Sequence, residues 1–256
     1  MIHQSLITKH TIYSSNKENI ILIHGFLCST QLWSSLTQQL QSRYNIYFVN
    51  LPGHNGNKGT IKSINELAQL ILEALTALNL DSVHIIGHSL GGYIAGEMAQ
   101  INQSIVKSIT LINSSLLEDS QQKKNDRNKA IRAVKITPSV FSRNVIEKLF
   151  SEKSRQEHQS IIDQTQQAAA GIKGTTIIDY LEAMRDREST LKSSAQIPKL
   201  FISRREDTTV PFSRVQPQFE TPNTTSIVLE KSNHMGFIEE SDLVYQAIES
   251  FFVSFS

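Results

Sequence analysis

Residues 85–92 read Ile85-Ile86-Gly87-His88-Ser89-Leu90-Gly91-Gly92. A short apolar run ends in a serine with glycine two positions to either side, and a helix is predicted from Leu90 to about Ile101. A serine at the tip of a strand-to-helix turn has a strained backbone, and the turn closes only if its neighbours are almost free of side chain. The Leu90 amide then lies at a helix N-terminus, where negative charge is stabilised. The same spacing arises by chance in loops, but the predicted strand and helix favour Ser89 as a nucleophile.

Strand-like and helix-like segments alternate on both sides of this stretch. Continuous apolar runs predict buried strands at residues 19–23, 46–49, 108–112, 199–202 and 226–229. An alternating pattern predicts an edge strand at 6–13, and helical spacing predicts helices at about 30–41, 63–78 and 241–252. This alternation predicts an α/β fold class: a mostly parallel sheet with helices on both faces.

The alternation stops between residues 116 and 192. No strand-like run occurs there, and helical patterns fall at about 120–135, 139–150, 156–170 and 175–187. We therefore predict an α/β core formed by residues 1–115 and 193–256, with a helical cap inserted at residues 116–192.

Three side chains far apart in the sequence form the predicted site. A serine hydroxyl is a poor nucleophile at neutral pH, so it needs a base, and the base needs an orienting acid. His234 lies in a polar stretch between the last predicted strand and the last predicted helix, and Asp207 follows the predicted strand at 199–202. The chain order serine, aspartate, histidine belongs to a fold in which strand ends deliver all three to one edge of a sheet. We predict Ser89, Asp207 and His234 as a catalytic triad.

Several motifs together resemble the α/β-hydrolase superfamily, and within it the small capped carboxylesterase-like group. The motifs are His24-Gly25-Phe26 with Trp33, Leu51-Pro52-Gly53-His54, Gly87-His88-Ser89-Leu90-Gly91-Gly92, Asp207 with Pro211, and Asn233-His234-Met235. The resemblance covers essentially the whole chain. The group includes carboxylesterases, menaquinone-pathway enzymes, carbon–carbon bond hydrolases and pimeloyl-acyl-carrier-protein methyl ester esterases, and the motifs do not choose among these substrates.

This resemblance implies a serine hydrolase that cleaves a carboxylic ester, or a thioester, through an acyl-enzyme on Ser89. It also implies an oxyanion hole formed by the backbone amides of Phe26 and Leu90, with no metal ion or cofactor. Arg204 stands where the group usually has glycine, which leaves Glu206 as an alternative to the aspartate beside it. The alternative functions are a triad-retaining ligand receptor and a non-hydrolytic lyase or carbon–carbon hydrolase of the same fold.

The predicted cap is strongly basic at its start. Residues 121–155 hold ten basic and three acidic side chains, whereas the whole chain has a net charge of +1. The plainer interpretation is that these side chains form a solvated helix face. The other is that they form a docking surface for an acidic acyl carrier protein, because a positively charged surface attracts negatively charged ligands. The residues expected to form that surface are Lys123, Lys124, Arg127, Arg132, Arg143 and Arg155. The residues expected to line the substrate pocket are Trp33, His88, Val140, Phe141 and Tyr180.

Composition sets the outer limits of these predictions. The 256 residues suffice for one α/β domain with an insertion, and the small net charge gives no indication of nucleic-acid binding. Cys28 is the single cysteine, so no internal disulfide forms. Residues 1–11 lack the apolar run of a signal peptide, and no apolar stretch reaches the length of a membrane span. We expect a cytoplasmic protein that acts on a small-molecule ester, with biotin synthesis as one candidate pathway.

Overall fold

The computed structural model of the protein describes residues 6–11, with only the backbone of Thr11, and residues 17–254. In this part of the chain seven strands form one sheet: β1 Ile7–Thr11, β2 Asn19–Ile23, β3 Asn45–Val49, β4 Val83–His88, β5 Val106–Ile112, β6 Lys199–Arg204 and β7 Thr224–Leu229. Their order is β1-β3-β2-β4-β5-β6-β7. β1 is antiparallel to β3, and all other neighbouring strands are parallel. The predicted fold class is confirmed; the predicted extension of the edge strand to Tyr13 lies outside the described residues.

Ten α-helices accompany these strands in the described part of the chain. They are α1 Ser34–Leu40, α2 Ile64–Ala77, α3 Leu90–Ile101, α4 Gln121–Ile136, α5 Pro138–Leu149, α6 Gln159–Ala170, α7 Gly174–Asp186, α8 Phe212–Val215, α9 Gly236–Glu239 and α10 Ser241–Val253. Short 3₁₀ helices occur at Thr30–Trp33, Gln103–Ile105 and Gln216–Glu220. None of the described helices combines the length and apolar character needed to cross a membrane.

The parallel strands set where the functional loops meet. Every residue of β4 is buried, and so are residues 20–23 of β2, because helices cover both faces of the sheet. Parallel strands all end at the same edge, so the residues that follow β4, β5, β6 and β7 lie near one another. Ser89, Asn113, Asp207 and His234 all come shortly after one of these strand ends.

Helices α4 to α7 occupy the connection between β5 and β6. All four lie inside the segment 116–192 that the sequence assigns to a cap, with α4 packed on α7 and α5 packed on α6. The division of the chain into a core and a separate cap remains a prediction.

Two buried ion pairs that share Asp119 join the two ends of this helical connection. Asp119, just before α4, accepts hydrogen bonds from Arg127 Nε (2.9 Å) and from Arg187 Nη1 (2.7 Å). Arg187, just after α7, also donates to the Leu117 carbonyl (2.9 Å) and lies 3.7 Å from the centre of the Tyr93 ring on α3. Burial alone would raise the pKa of Asp119, but the two guanidinium groups and their hydrogen bonds outweigh it and hold the pKa below its ordinary value.

The sequence predictions miss the shortest elements. The predicted helix at 30–41 begins as the 3₁₀ turn Thr30–Trp33 and becomes α-helical only from Ser34. Helices α8 and α9 each have four residues, which is too short for a helical period to show in the sequence.

Replacing Asp119 by asparagine should destabilise the protein. The change leaves two buried guanidinium groups without their carboxylate, so we expect a loss of about 3 kcal/mol in the free energy of unfolding near pH 7. Because the folded pKa of Asp119 is lowered, its contribution is present above the unfolded pKa of about 4 and is lost as pH falls through the lower folded value. Urea unfolding of the wild type and of Asp119→Asn should be measured from about pH 3 to about pH 7. The difference between their free energies of unfolding should shrink as the pH falls. The exposed Asp163→Asn on α6 is the control, and an equal gap at every pH would contradict the prediction.

Candidate active site

Ser89 occupies the turn between β4 and α3. Its backbone has φ 51° and ψ −112°, and a positive φ of this size is unfavourable for a residue with a Cβ, so surrounding contacts must enforce it. The Ser89 amide donates to the Ile112 carbonyl (3.0 Å), and the Ser114 hydroxyl donates to the Ser89 carbonyl (2.7 Å). The strand before the serine and the helix after it are thus present as predicted. Ser89 itself is 9% exposed to solvent.

Two glycines let three backbones meet around this turn. A methyl group on Gly87 would collide with the backbone of Gly91 and Gly92. A methyl group on Gly91 would collide with the carbonyl group of Ile23 at the end of β2. Helix α3 therefore starts in direct backbone contact with both β2 and β4, which is the mechanical requirement inferred from the sequence spacing.

The two amides predicted to bind an oxyanion belong to backbone segments next to the serine. Leu90 is the first residue of α3, so its amide has no acceptor within the helix. A Cβ on Gly25 would lie 3.5 Å from the Cβ of Ser89, which places the backbone after β2 against the serine. Phe26 follows Gly25 directly, and its amide belongs to the same backbone segment.

Asp207 and His234 form a buried hydrogen-bonded pair. His234 Nδ1 lies 2.7 Å from Asp207 Oδ2, and the Asn113 side-chain amide donates to the same oxygen at 2.9 Å. The other oxygen, Oδ1, accepts the amides of Thr209 (2.7 Å) and Val210 (2.9 Å). Since a carboxylate only accepts hydrogen bonds, Nδ1 carries the imidazole proton and Nε2 has a free lone pair. The structure therefore holds an imidazole whose Nε2 lone pair is free beside the carboxylate that orients the ring.

The charge state of Asp207 follows from these contacts. Burial would raise the pKa of this carboxyl, but the charge and hydrogen bond of His234 outweigh burial, with further help from Val210 and Asn113. The pKa of Asp207 therefore lies below its ordinary value, and the group is ionised at neutral pH.

Glu206, the alternative acid, points away from this pair. Its carboxylate accepts a hydrogen bond from Arg204 at 2.8 Å, and its side chain is 80% exposed. The geometry favours Asp207 as the partner of His234. Arg204 stands where the resembling sequences have glycine. It pairs with the Glu206 carboxylate, whereas Asp207 binds His234.

His88 supports His234 from below and is not itself a base. It precedes Ser89, is 1% exposed, and its Nε2 lies 2.9 Å from the His234 carbonyl oxygen. That contact makes Nε2 the protonated nitrogen. Burial, together with the nearby His234, lowers the pKa of His88 to about 3, so the ring is neutral. The structure therefore buries His88 against the backbone of His234, contrary to the expectation that it lines the substrate pocket.

A cleft of about 290 Å³ lies between the sheet edge and helices α4, α5 and α7. Phe26 and Phe141 line it, as do Thr208 and Thr209 next to the acid. Val140 does not, contrary to the prediction, and its side chain is 53% exposed. The reason is helical geometry: on α5 the cleft residues recur at Phe141, Val145 and Lys148, which puts Val140 on a different face.

Trp33 and Tyr180, also predicted for the pocket, belong to the core instead. The Trp33 ring is fully buried and stacks on Phe237 with ring centres 4.4 Å apart. The Tyr180 hydroxyl donates to the Pro52 carbonyl at 2.9 Å, and its ring meets His54 edge-on. Both side chains fix loops near the site without lining the cleft.

A bridge from the base loop to helix α5 was not evident in the sequence. The His234 amide donates to the Leu149 carbonyl (2.9 Å), and the Asn233 side chain donates to the Lys148 carbonyl (2.8 Å). Both carbonyls belong to the last turn of α5, where no intrahelical donor remains. The histidine loop therefore caps a helix from the connection between β5 and β6.

Glu239 completes this bridge. One of its oxygens accepts the Asn233 amide (2.7 Å), and the other accepts the Ser151 amide (2.9 Å) and the Ser154 hydroxyl. No local sequence signal marks Glu239, because its partners after α5 are more than eighty residues away.

The described residues offer no cluster of metal-binding side chains. Within residues 6–11 and 17–254, no three histidine, cysteine, aspartate or glutamate side chains are grouped so as to hold a metal ion. Cys28 is buried, and burial raises the pKa of its thiol to about 12, so it is not an activated nucleophile.

The fold and the site together define the class of protein. The family model described as "alpha/beta hydrolase fold" matches residues 18–241, and the chain belongs to this family. Seven-stranded topology, the strained serine turn and the aspartate–histidine pair are all consistent with that membership.

Individual relatives add detail to the family. A pimeloyl-acyl-carrier-protein methyl ester esterase of Aeromonas hydrophila is 25% identical over 91% of this chain and 94% of its own length. The solved structure of the enol-lactonase from Burkholderia xenovorans aligns with a TM-score of 0.87 at 14% identity, over 96% of this chain and 95% of the other. The thermophilic esterase of Thermogutta terrifontis aligns with a TM-score of 0.85 at 18% identity, over 97% and 92% respectively. At these identities the two structures show a common fold.

Replacing Gly91 by alanine should destabilise the serine turn. The new methyl group would meet the Ile23 carbonyl, which belongs to the central sheet and has no room to move. We expect the free energy of unfolding to fall by about 3 kcal/mol, as for severe overpacking. Gly171→Ala is the matched control, since its Cβ would meet nothing nearer than 3.5 Å. Equal urea midpoints for the two variants would contradict this reading of the turn.

Replacing Glu239 by glutamine should impair the site without removing any triad member. The Asn233 and Ser151 amides bind different carboxylate oxygens, and glutamine replaces one of these acceptors with an NH2 donor, so one of the two amides loses its acceptor. We expect the turnover number on a p-nitrophenyl ester to fall about tenfold with little change in KM, because the base is less well held.

Glu152→Gln is the control for this change, since Glu152 is an exposed acid in the turn after α5. Ser154→Ala, which removes one contact of the same carboxylate, should give a smaller loss of turnover in the same direction. If Glu239→Gln lowers the melting temperature but leaves turnover per folded molecule unchanged, the bridge only stabilises the fold.

Proposed function

We propose that this protein is a serine hydrolase that cleaves a carboxylic ester through an acyl-enzyme on Ser89. The observation that carries the proposal is the 2.7 Å pair of Asp207 and His234 at the sheet edge where Ser89 is held in its strained turn. Membership of the α/β-hydrolase family and the esterase relative of Aeromonas hydrophila support it.

The mechanism follows from the protonation states in the site. His234 has its Nδ1 proton directed at an ionised Asp207, so Nε2 takes the Ser89 proton as the hydroxyl attacks the ester carbonyl. The resulting imidazolium is stabilised by the carboxylate beside it. The Phe26 and Leu90 amides bind the oxyanion, an interaction worth about 10²–10³ in turnover for each donor.

Collapse of the tetrahedral intermediate completes the first half of the reaction. His234 gives its proton to the leaving alcohol, which departs and leaves the acyl group on the serine. Water then enters, loses a proton to the same imidazole and attacks the acyl-enzyme carbonyl. The bond between the acyl group and Ser89 Oγ breaks, the imidazolium returns its proton to Oγ, and the carboxylic acid leaves.

An acyl-carrier-protein ester is a specific substrate candidate, because the Aeromonas relative carries that name and the start of the helical segment is basic. Of the expected docking residues, Arg132 and Arg143 are exposed, whereas Lys123, Lys124, Arg127 and Arg155 are partly buried. Arg127 also pairs with Asp119, and its side chain is only 11% exposed. Lys123 also turns inward, towards Thr209. An acidic carrier would therefore meet a smaller basic surface than the sequence count indicated.

Replacing Ser89 by alanine tests the proposal directly. Without the hydroxyl no acyl-enzyme forms, so steady turnover of p-nitrophenyl acetate should fall by at least about 10³-fold, and labelling by a fluorophosphonate should disappear. Ser160→Ala, an exposed serine on α6, is the matched control and should behave as wild type. If the wild type releases one product per protein molecule and then stops, the protein is a ligand receptor. If Ser89→Ala retains turnover, Ser89 is not the nucleophile.

A further inference from the structure

The end of β5 holds the serine turn, although it supplies no member of the proposed triad. The Ile112 carbonyl accepts the Ser89 amide at 3.0 Å, and the Ser114 hydroxyl donates to the Ser89 carbonyl at 2.7 Å. Asn113 lies between these two residues, and its own backbone amide donates to the Ile202 carbonyl of β6 at 2.8 Å. The backbone around Asn113 is therefore fixed on both sides, by the turn after β4 and by β6.

The Asn113 side chain reaches from this fixed backbone to the loop that carries Asp207 (the acid loop) and the loop that carries His234 (the base loop). Its Nδ2 donates at 2.9 Å to Asp207 Oδ2, the oxygen that lies 2.7 Å from His234 Nδ1. The same nitrogen lies 3.5 Å from the Asn233 carbonyl oxygen, at the limit of a hydrogen bond. A Cβ on Gly236 would lie 3.1 Å from Asn113 Oδ1. Asn113 is 1% exposed, so its side chain is enclosed between the two loops.

Asparagine also suits the backbone at this position. The φ angle of Asn113 is 47°, in the left-handed region that residues with a Cβ rarely adopt. Glycine, asparagine and aspartate tolerate this region better than other residues. Of these three, only asparagine has a side chain that donates a hydrogen bond at neutral pH. The position therefore combines a tolerated backbone with a donor directed at the carboxylate.

A donor at this point has two effects on the pair of Asp207 and His234. It supports the negative charge of Asp207: His234 is the larger cause of the lowered pKa of this carboxyl, and the hydrogen bond from Asn113 adds to it. It also occupies one acceptor direction of Oδ2, so that the carboxylate cannot rotate away from His234 Nδ1 without losing this bond. A carboxylate fixed in this way holds the imidazole in the tautomer whose Nε2 can accept a proton.

We propose that Asn113 is a positioning residue for the hydrolysis, which joins the acid loop to the base loop and holds the Asp207 carboxylate towards His234. It acts through Asp207 and not on the reacting atoms, because its donor binds the carboxylate oxygen that faces the imidazole. The inference rests on the proposed esterase function and adds a residue to the same site. No sequence motif marks this role, since Asn113 is 94 positions from Asp207 and 120 from Asn233.

Replacing Asn113 by glycine removes the donor and keeps the backbone. Glycine accepts the positive φ, so the end of β5 should stay folded. We expect kcat on p-nitrophenyl acetate to fall about tenfold per folded molecule with little change in KM, because the acid is held less well while the ester binds elsewhere. Asn79→Gly is the matched control: Asn79 has a φ of 54°, lies just after α2 and is exposed, so this variant should match the wild type.

Replacing Asn113 by aspartate should give a loss that depends on pH. The introduced carboxyl has the shape of the amide, but it can donate to Asp207 Oδ2 only while it is protonated. The charge of Asp207 raises the pKa of this new carboxyl. The other titratable groups that face Asp207 include His234, the neutral His88 and Lys123, and all three remain in the variant. The ratio of kcat in Asn113→Asp to kcat in the wild type should therefore fall as the pH rises from about 5 to about 8, whereas the ratio for Asn113→Gly should stay constant.

A measurement without substrate tests the inference independently of the esterase proposal. The proton between His234 Nδ1 and Asp207 should give a resolved resonance far downfield in the ¹H NMR spectrum of the wild type, because it lies in a short, charge-assisted hydrogen bond. This resonance should broaden or move upfield in Asn113→Gly and remain unchanged in Asn79→Gly. If Asn113→Gly leaves both the resonance and kcat unchanged, or lowers kcat only in proportion to the folded fraction, the inference is overturned. Absence of turnover by the wild type would instead count against the esterase proposal, and the resonance alone would then decide the role of Asn113.

Discussion

The left-handed backbone of Ser89 is the constraint around which the rest of the structure is arranged. A residue with a side chain in this conformation costs about 1–3 kcal/mol, so neighbouring backbone must hold it in place. β4 and α3 supply its two ends, and the carbonyl end of β2 is pressed against Gly91. Because nothing bulkier than glycine fits between these three elements, the turn cannot relax. The hydroxyl is thereby kept at the edge where the other loops of the sheet also end.

Asp207 and His234 are held by contacts that originate outside the sheet. His234 is fixed through its backbone amide to the last turn of α5, and the loop that carries Asp207 is held by a hydrogen bond from α4 to Thr209. The helices between β5 and β6 thus contact both the acid loop and the base loop, in addition to walling the cleft. Any displacement of these helices relative to the sheet would disturb the geometry of the base as well as the entrance to the site.

The folded chain divides the basic run of residues 121–155 into groups that the sequence does not distinguish. Arg132 and Arg143 face solvent, Arg127 neutralises a buried aspartate, and Lys123 faces the cleft. A count of charges along the sequence describes only the residues that face solvent, such as Arg132 and Arg143. The roles of Arg127 and Lys123 arise because α4 packs against α7 and contacts the loop that carries Asp207. Part of the polar face of α4 is therefore buried.

The sequence by itself determined the α/β class, the order of strands and helices and the serine turn, because apolar periodicity and the glycine spacing are local properties. It also singled out Asp207 and His234, since parallel strands bring their following loops to one edge. Only the tertiary structure separated Asp207 from Glu206, placed Val140 outside the cleft, moved Trp33 and Tyr180 into the core, and revealed Glu239. Each of these depends on which distant side chain or carbonyl lies opposite, and that is fixed by packing between elements rather than by the residues next to each position.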